Sequence, residues 1–195
     1  AGWYANTALS PDGTVRFDRC VGCPQGTYGL TTAAQSMSTG CKPCPAGRYG
    51  INTASIDLRT GCAVCEPGKW SDIAGAKEQA DCQACAPGRF GLITPRQNSQ
   101  SDCRECDSGR FADAPGGFGS GSCKECPSGF HMPNRGQVYC IPCASGKRQH
   151  LAGKAICNKC SGGRASKDVG RATTTCPRCR SGMFQSDSGQ TVCAA

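Results

Sequence analysis

Short apolar groups recur about every twenty residues along this chain, and each group begins at a Cys-x-x-Cys pair. A turn segment of the type Pro-x-Gly or x-Pro-Gly follows most pairs, and then come a basic and an aromatic residue. The turn residues predict a tight bend in which Gly supplies a positive φ. The basic–aromatic step predicts a short strand. The pattern therefore indicates a small irregular hairpin in each repeat, with little or no helix.

The cysteine spacing makes the repeat explicit. Between the second cysteines of successive pairs the intervals are 21, 21, 20, 21, 20, 17, 17 and 19 residues. The pairs are Cys20/Cys23, Cys41/Cys44, Cys62/Cys65, Cys82/Cys85, Cys103/Cys106, Cys123/Cys126, Cys140/Cys143, Cys157/Cys160 and Cys176/Cys179, and Cys193 follows alone. The repeat aromatics are Tyr4, Tyr28, Tyr49, Trp70, Phe90, Phe111, Phe130 and Phe184. Gly146, Gly163 and Gly182 keep the turn position in the last three repeats.

These intervals divide the chain into a tandem array. The predicted units are a partial N-terminal repeat 1–22, the repeats 23–43, 44–64, 65–84, 85–105, 106–125, 126–142, 143–159 and 160–178, and a partial C-terminal repeat 179–195.

Composition indicates what holds such an array together. The chain has 195 residues with 19 Cys, 27 Gly and only 6% aromatics, at a mean hydropathy of −0.42. This Cys content is typical of disulfide scaffolds. We therefore expect a small disulfide-rich fold, an elongated array of short β-hairpins with no large hydrophobic core. Each aromatic ring is expected to cover a neighbouring disulfide, and stacking of repeats to stabilise the array.

Two pairing schemes are compatible with repeat symmetry, since connectivity does not follow from sequence alone. In the favoured scheme, the second Cys of a pair bonds the first Cys of the next and closes the loop that carries the turn. It gives Cys23–Cys41, Cys44–Cys62, Cys65–Cys82, Cys85–Cys103, Cys106–Cys123, Cys126–Cys140, Cys143–Cys157, Cys160–Cys176 and Cys179–Cys193. In the alternative, each Cys-x-x-Cys closes on itself, a ring typical of reducible redox motifs.

The favoured scheme leaves Cys20 without a partner. The chain also begins and ends in mid-repeat by the repeat register, because Ala1–Ala8 aligns with Ala46–Thr53 and Cys193 is followed by only two residues. We expect a window on a longer array, or a processed subunit that joins others end to end. Cys20 would then form an intermolecular or external bond; the alternative is a free thiol.

Charge and polar motifs suggest partners only weakly. The net charge is +8, with 22 basic residues spread along the chain, which indicates a solvated surface or attraction to an acidic polysaccharide. Nucleic-acid binding is not predicted, because the sequence shows no basic helix that could enter a groove. No apolar run approaches the ~18 residues of a membrane span. There is no Asn-x-Ser/Thr sequon. The candidates for O-linked glycan are Thr31, Thr32, Ser36, Ser38, Thr39, Thr173, Thr174 and Thr175.

The string Cys-x-x-Cys-Pro-x-Gly-x-aromatic resembles the ephrin-receptor-like cysteine-rich repeat, which is related in style to tumour necrosis factor receptor modules. Cys23-Pro24-Gln25-Gly26-Thr27-Tyr28 carries the match, and the resemblance is strong over 20–130 and weaker over 131–195. Similar arrays look common in surface and secreted proteins of protists and algae. The resemblance implies an extracellular location, structural disulfides and no catalytic residues. It implies no particular ligand.

Site chemistry is otherwise sparse. Successive Cys-x-x-Cys pairs also fit zinc ribbons, but an unbroken ladder with an odd cysteine favours disulfides. No βαβ pattern accompanies a redox motif. The only histidines are His131 and His150, which predict surface roles, and the carboxylates Asp102, Glu105 and Asp107 stand among Arg104 and Arg110 as a self-neutralising patch. We therefore expect no enzyme, no metal and no cofactor.

Three non-enzymatic functions remain. Departures from the repeat are small: the return Ser10–Arg19, the stretch Gly116–Gly119 and the short repeats after residue 126. Because binding residues concentrate in loops, this uniformity favours a structural subunit of an extracellular fibre, surface appendage or coat that assembles with itself. The alternative is a receptor or adhesin ectodomain that binds a protein or glycan. A second alternative is a zinc-binding Cys-x-x-Cys array.

Overall fold

The computed structural model describes residues 2–9, 15–29, 36–92, 99 and 102–195. Short strands dominate it. The strands are β1 (Trp3–Leu9), β2 (Val15–Gly22), β3 (Thr27–Gly29), β4 (Cys41–Pro43), β5 (Arg48–Gly50), β6 (Cys62–Val64), β7 (Lys69–Trp70), β8 (Gln83–Ala84), β9 (Arg89–Gly91), β10 (Arg104–Glu105), β11 (Arg110–Phe111), β12 (Gly117–Phe118), β13 (Lys124–Glu125), β14 (Phe130–His131), β15 (Ile141–Pro142), β16 (Lys147–Arg148) and β17 (Asn158–Lys159). The two helices are α1 (Met37–Gly40) and α2 (Leu58–Gly61).

Antiparallel hairpins join the turn of one repeat to the next Cys-x-x-Cys. The two-stranded sheets are β1–β2, β3–β4, β5–β6, β7–β8, β11–β13, β14–β15 and β16–β17, and one three-stranded sheet has the order β10–β9–β12. Isolated bridges pair Arg164 with Arg178 and Phe184 with Ala194 in the last repeats. The predicted fold class, a disulfide-rich tandem array of short hairpins, is confirmed.

Positive φ at the turn glycines explains why the hairpins recur. Gly26, Gly47, Gly68, Gly88, Gly109, Gly129, Gly146, Gly163 and Gly182, each three residues after the second Cys, have φ between 72° and 87°. L-residues avoid this region because Cβ crowds the backbone. The prediction that Gly supplies a positive φ in these turns is confirmed.

The helices are single turns inserted before the first Cys of a pair. Ser36 caps α1 by accepting from the N–H of Thr39, and Asp57 caps α2 by accepting from the N–H groups of Arg59 and Thr60. Caps of this type satisfy backbone donors that a short helix leaves open. In later repeats 3-10 turns at Gln79–Asp81 and Ser120–Ser122 take the same place. Within the described ranges, no helix is long and apolar enough to cross a membrane.

The chain forms two compact units. The first comprises 1–85 and 91–103, and the second comprises 86–90 and 104–195. The first contains the longest hairpin, in which β1 and β2 pair with an irregularity between Asn6 and Thr7. Part of the return Ser10–Arg19 is thus strand from Val15 onward, and residues 10–14 lie outside the described residues.

Cysteine sulfur replaces a conventional core in both units. Most fully buried side chains are cysteines, together with Met132 and Ser71. One apolar cluster in the first unit joins Tyr28, Leu58 and the Cys44–Cys62 bridge. One in the second joins Phe90, Ala112 and the Cys106–Cys123 bridge. No cluster larger than these few residues is found in the described part of either unit.

Candidate functional site: the repeat junctions

Nine disulfides run in sequence order along the chain. They are Cys23–Cys41, Cys44–Cys62, Cys65–Cys82, Cys85–Cys103, Cys106–Cys123, Cys126–Cys140, Cys143–Cys157, Cys160–Cys176 and Cys179–Cys193. These are the pairs of the favoured scheme, and each closes a loop that contains one turn. From Cys23 to Cys123 each bridge spans 17 or 18 residues, and we call repeats 23–43 to 106–125 the long repeats. Repeats 126–142 and 143–159, whose bridges span 14 residues, are the short repeats.

Cys20 is the one cysteine outside these bridges, and it is exposed. It lies on β2, opposite Ala5 of β1. All nineteen cysteines fall within the described ranges, so the remaining eighteen use one another and none is left to pair with Cys20.

Backbone hydrogen bonds connect every Cys-x-x-Cys to the turn before it. The N–H of each second Cys donates to the carbonyl of the preceding turn glycine: Cys44 to Gly26 at 2.8 Å, Cys106 to Gly88 at 2.9 Å and Cys160 to Gly146 at 2.8 Å are examples. Cys23 donates in the same way to Gly2, at 2.8 Å. Gly2 therefore takes the place of a turn glycine, as the repeat register predicts.

A second glycine recurs at a constant position in six repeats, and in five of them its N–H donates to the previous repeat. It stands ten residues after the second Cys, at Gly75, Gly116, Gly136, Gly153, Gly170 and Gly189, and we call these the loop glycines. Gly136 donates its N–H to the carbonyl of Cys106 at 2.9 Å, and Gly170 donates to Cys143 at 2.7 Å. This carbonyl belongs to the preceding repeat in each case. The constant ten-residue spacing is a signal in the sequence that attention to the turn glycines alone does not reveal.

Turn and loop glycines also touch across two repeats. A Cβ added to Gly88 would lie 2.1 Å from the carbonyl oxygen of Gly136, and one added to Gly146 would lie 2.1 Å from that of Gly189. Only a residue without Cβ permits this approach. We call the set formed by a second Cys, the turn glycine before it and the loop glycine of the following repeat a repeat junction.

In one junction of the first unit, the residue at the loop position has a side chain and the residue that precedes the second Cys is glycine. At the loop position stands Ala54, with φ 53°, and it donates its N–H to the carbonyl of Cys23 at 2.7 Å. Gly22 precedes that cysteine, and a Cβ on it would lie 2.7 Å from the Ala54 methyl. In the junction at Cys44 the two positions are exchanged, since the loop residue is Gly75 and the residue before the cysteine is Pro43. Each of these two junctions therefore has one Cβ between the loop residue and the residue that precedes the second Cys.

Two aromatic rings pack on the bridge of the following repeat. The buried Tyr28 lies against Cys44–Cys62 and the half-buried Phe90 against Cys106–Cys123, which is the cover expected of them. Lys124 adds a cation–π contact, with its Nζ 5.9 Å from the centre of the Phe111 ring. Phe184 differs, since it is 62% exposed and pairs only with Ala194. Tyr4, Tyr49, Trp70 and Phe130 are half-buried.

The cross-strand position beside each turn carries ion pairs in two consecutive repeats. Arg89 faces Glu105, with Nη2 and Oε1 2.5 Å apart, and Arg110 faces Glu125 at 2.6 Å. Asp107 pairs with Arg135 at 3.2 Å. Of the predicted acidic–basic patch, Glu105 and Arg110 are therefore paired across hairpins, and Asp107 is paired with Arg135 of the next repeat. Strand pairing, which sequence proximity does not reveal, decides the partners of Glu105 and Arg110.

The same position holds like charges further along the chain. Lys147 lies opposite Lys159, and Arg164 lies opposite Arg178. Arg164 donates from Nη1 to the carbonyl of Cys176 at 2.5 Å, as Arg48 does to Cys62 at 3.0 Å. Like charges directly opposite each other are destabilising. The signal in the sequence is the scarcity of acidic residues after residue 140, which counting basic residues alone does not reveal.

Three exposed carboxylates in the long repeats have pKa values below their ordinary ones. The Thr60 N–H and hydroxyl lower the pKa of Asp57, and the Lys69 ammonium lowers that of Glu66 by hydrogen bonding and charge. The Lys124 ammonium lowers the pKa of Asp113 in the same way. Each carboxylate is stabilised in its charged form by a donor of its own repeat.

Among the described residues, one group of side chains could offer ligands to a metal ion. His131, Cys143 and Cys157 each offer a ligand atom within 4.8 Å of the others. However, the two sulfurs are bonded to each other, and zinc needs thiolates. His131 Nδ1 lies 3.1 Å from the carbonyl oxygen of Ile141. The Nδ1 of His150 is buried without a hydrogen-bond partner among the described residues.

The glycan candidates that the structure describes are exposed or half-buried, and several have local hydrogen bonds. The Ser36 hydroxyl lies 3.0 Å from that of Ser38 and 2.9 Å from that of Thr39, around the start of α1. Thr173 donates to the carbonyl of Thr175 at 2.7 Å. Thr31 and Thr32 lie outside the described residues.

Comparison with known proteins gives no match, neither to a protein-family model nor to a curated protein.

Proposed function

We propose that this chain is a structural subunit or segment of an extracellular fibre, surface appendage or coat. One observation carries the proposal: the repeat junctions. Each repeat uses backbone groups of its neighbours to complete its hydrogen bonds, and turn glycines such as Gly88 and Gly146 contact the second repeat along. Such nearest-neighbour stabilisation is typical of quasi-one-dimensional arrays, whose stability grows with the number of repeats.

The disulfides support the location. Nine bridges in a chain of 195 residues are typical of secreted and extracellular proteins, because cytosolic reductants keep thiols reduced. Bridges that each close a short loop stabilise by constraining the unfolded chain, by about 3 kcal/mol for a loop near 15 residues. A scaffold exposed to proteases and to mechanical load benefits from this covalent reinforcement.

The turn glycines of the last repeats indicate how copies would join. Gly163 and Gly182 have open space within 4 Å where Gly146 meets the carbonyl of a loop glycine. A further repeat, from a longer chain or a second copy, would complete these contacts. Cys20 is exposed in the first repeat and available for a covalent bond between copies.

Self-assembly is the test. The oxidised full chain should form particles that lengthen with concentration, seen by negative-stain electron microscopy and light scattering. Cys20→Ser is the matched control. Assembly that persists in this variant is due to junction contacts, and assembly that is lost is due to the Cys20 bond. A chain that stays monomeric at every concentration and captures one discrete soluble partner would contradict the proposal and favour a receptor or adhesin.

A further inference from the structure

Residues 141–195, which we call the basic repeats, carry most of the net charge. They hold nine basic and two acidic residues, a net +7 of the chain's +8. The basic residues are Lys147, Arg148, Lys154, Lys159, Arg164, Lys167, Arg171, Arg178 and Arg180, and the acidic ones are Asp168 and Asp187. The structure describes this whole segment. The charge of the chain is therefore segregated and not uniform.

Neutralisation within the basic repeats is almost absent. Arg171 pairs with Asp168, and no other ion pair occurs within this fully described segment. Lys147, Lys159 and Arg178 are exposed. In the second unit's earlier repeats, by contrast, Arg89 and Arg110 have cross-strand carboxylate partners. In two of the basic repeats the residue after the turn glycine is still basic, but the residue opposite it on the partner strand is basic as well and not acidic.

Two consecutive hairpins thus present doubled positive charge at equivalent places. The pair Lys147/Lys159 is followed, one repeat later, by Arg164/Arg178. Opposed like charges disfavour the free protein and are relieved when an anion lies between or above them. A ligand with negative groups at regular intervals matches this spacing better than a single small anion does.

A groove extends the second pair. Its volume is about 530 Å³, and Lys167, Arg178 and Arg180 line it together with Pro177 and Met183. One carboxylate, Asp168, also lines it and is paired with Arg171. Arg178 belongs to both the doubled pair and the groove, so the charged surface is continuous there. Guanidinium groups bind carboxylate and sulfate oxygens through parallel N–H donors.

We propose that the basic repeats bind a linear anionic polysaccharide with sulfate or carboxylate groups. In the two hairpins with doubled charge, Arg148 and Ala165 occupy the aromatic position, so the rings on which single-stranded bases stack are missing there. The exposed ring of Phe184 lies in the partial repeat that follows. The nine disulfides also fit a compartment rich in extracellular polysaccharide. The interaction attaches a structural array to its matrix and does not depend on self-assembly.

The test compares the full chain with Lys159→Glu/Arg178→Glu, which restores the basic–acidic pattern of the earlier hairpins. Heparin is the sulfated probe, polygalacturonate the carboxylated one, and single-stranded DNA the competing polyanion. We expect the variant to lose at least about tenfold in affinity for one of the polysaccharides near physiological salt, with a shallower salt dependence. Its Tm should not fall, because Lys147 and Arg164 gain partners.

The matched control is Lys42→Glu/Lys77→Glu, which makes the same change in net charge at two exposed lysines of the first unit. Its polysaccharide affinity should stay within about threefold of the unaltered chain. Equal losses in both variants, or no loss in either, would overturn the site. Tighter binding of DNA than of either polysaccharide would overturn the assigned ligand class. Lys159→Gln/Arg178→Gln, with an intermediate loss expected, serves if the charge reversal impairs folding.

Discussion

Long and short repeats form the same disulfide-closed loop with different numbers of residues. The Cys44–Cys62 bridge of a long repeat spans 18 residues, whereas the Cys143–Cys157 bridge of a short one spans 14. The difference equals the four residues of α2, which ends immediately before Cys62. The long repeat also receives a buried ring, Tyr28, against its bridge.

The junctions are the same in both. The second Cys donates to the preceding turn glycine at 2.8 Å in Cys44 and in Cys143, and its carbonyl accepts from the loop residue at 2.7 Å in both. The comparison shows that a helical turn and a buried ring are optional additions. The bridge and the two glycines that permit close backbone contact are the common requirement.

Removing one disulfide should therefore lower the stability more than any other change, and the loss should differ between a long and a short repeat. Each of Cys143→Ser/Cys157→Ser and Cys44→Ser/Cys62→Ser should cost about 2–5 kcal/mol, with the greater loss in the short repeat, which has no apolar cluster among its described residues. Hydrogen exchange at the N–H of Gly170 and of Gly75 reports each junction. Equal or reversed losses of protection would contradict the assigned role of the ring.

Adding a methyl group at the turn separates the cost of φ from the cost of contact. Gly146→Ala meets the Gly189 carbonyl at 2.1 Å, whereas Gly163→Ala, with φ 72°, meets nothing within 4 Å. The second variant should lose about 1–2 kcal/mol from backbone conformation alone. The first should lose about 1–3 kcal/mol more from overpacking. Denaturant unfolding measures both, and similar losses would mean that the junction yields without cost.

The Ala54 junction offers an exchange of residues. Gly22→Ala should destabilise the first unit because its new methyl lies 2.7 Å from that of Ala54. Adding Ala54→Gly to this variant should restore most of the lost stability, with a coupling energy of about 0.5–3 kcal/mol in a double-mutant cycle. Strictly additive effects would show that the two positions do not share one space.

Acid should weaken the long repeats slightly and the short ones less, since the three depressed carboxylates lie in long repeats. A pKa that is lower in the folded state adds stability above the ordinary value, 3.8 for Asp113, and this is lost as pH falls through the folded value. The Tm difference between the unaltered chain and Asp113→Asn should thus be largest near pH 7. It should vanish in strong acid, and a difference that grows on acidification would contradict the role of Lys124.

The local pattern was sufficient to predict the hairpins, because Gly at the turn and Cys on either side fix the backbone within a few residues. The favoured bridges coincide with those of the structure for the same reason, as repeat symmetry leaves few alternatives. Contacts between repeats could not be predicted in this way. The approach of Gly88 to Gly136 and the partner of Glu105 depend on stacking and strand register, which join residues distant in sequence.

A disulfide map of the unreduced chain distinguishes the stapled array from the self-closed pairing, because trypsin can cut within several Cys-x-x-Cys pairs, after Arg104, Lys124, Lys159 and Arg178. After alkylation and digestion, the bridges from Cys106 to Cys176 should hold the tryptic peptides together as the linked fragments 105–124, 125–159 and 160–178, although trypsin also cuts inside each of them. Bridges that instead join one fragment to the next across a cleaved Cys-x-x-Cys, or thiols all labelled without reductant, would contradict the disulfide-stapled array.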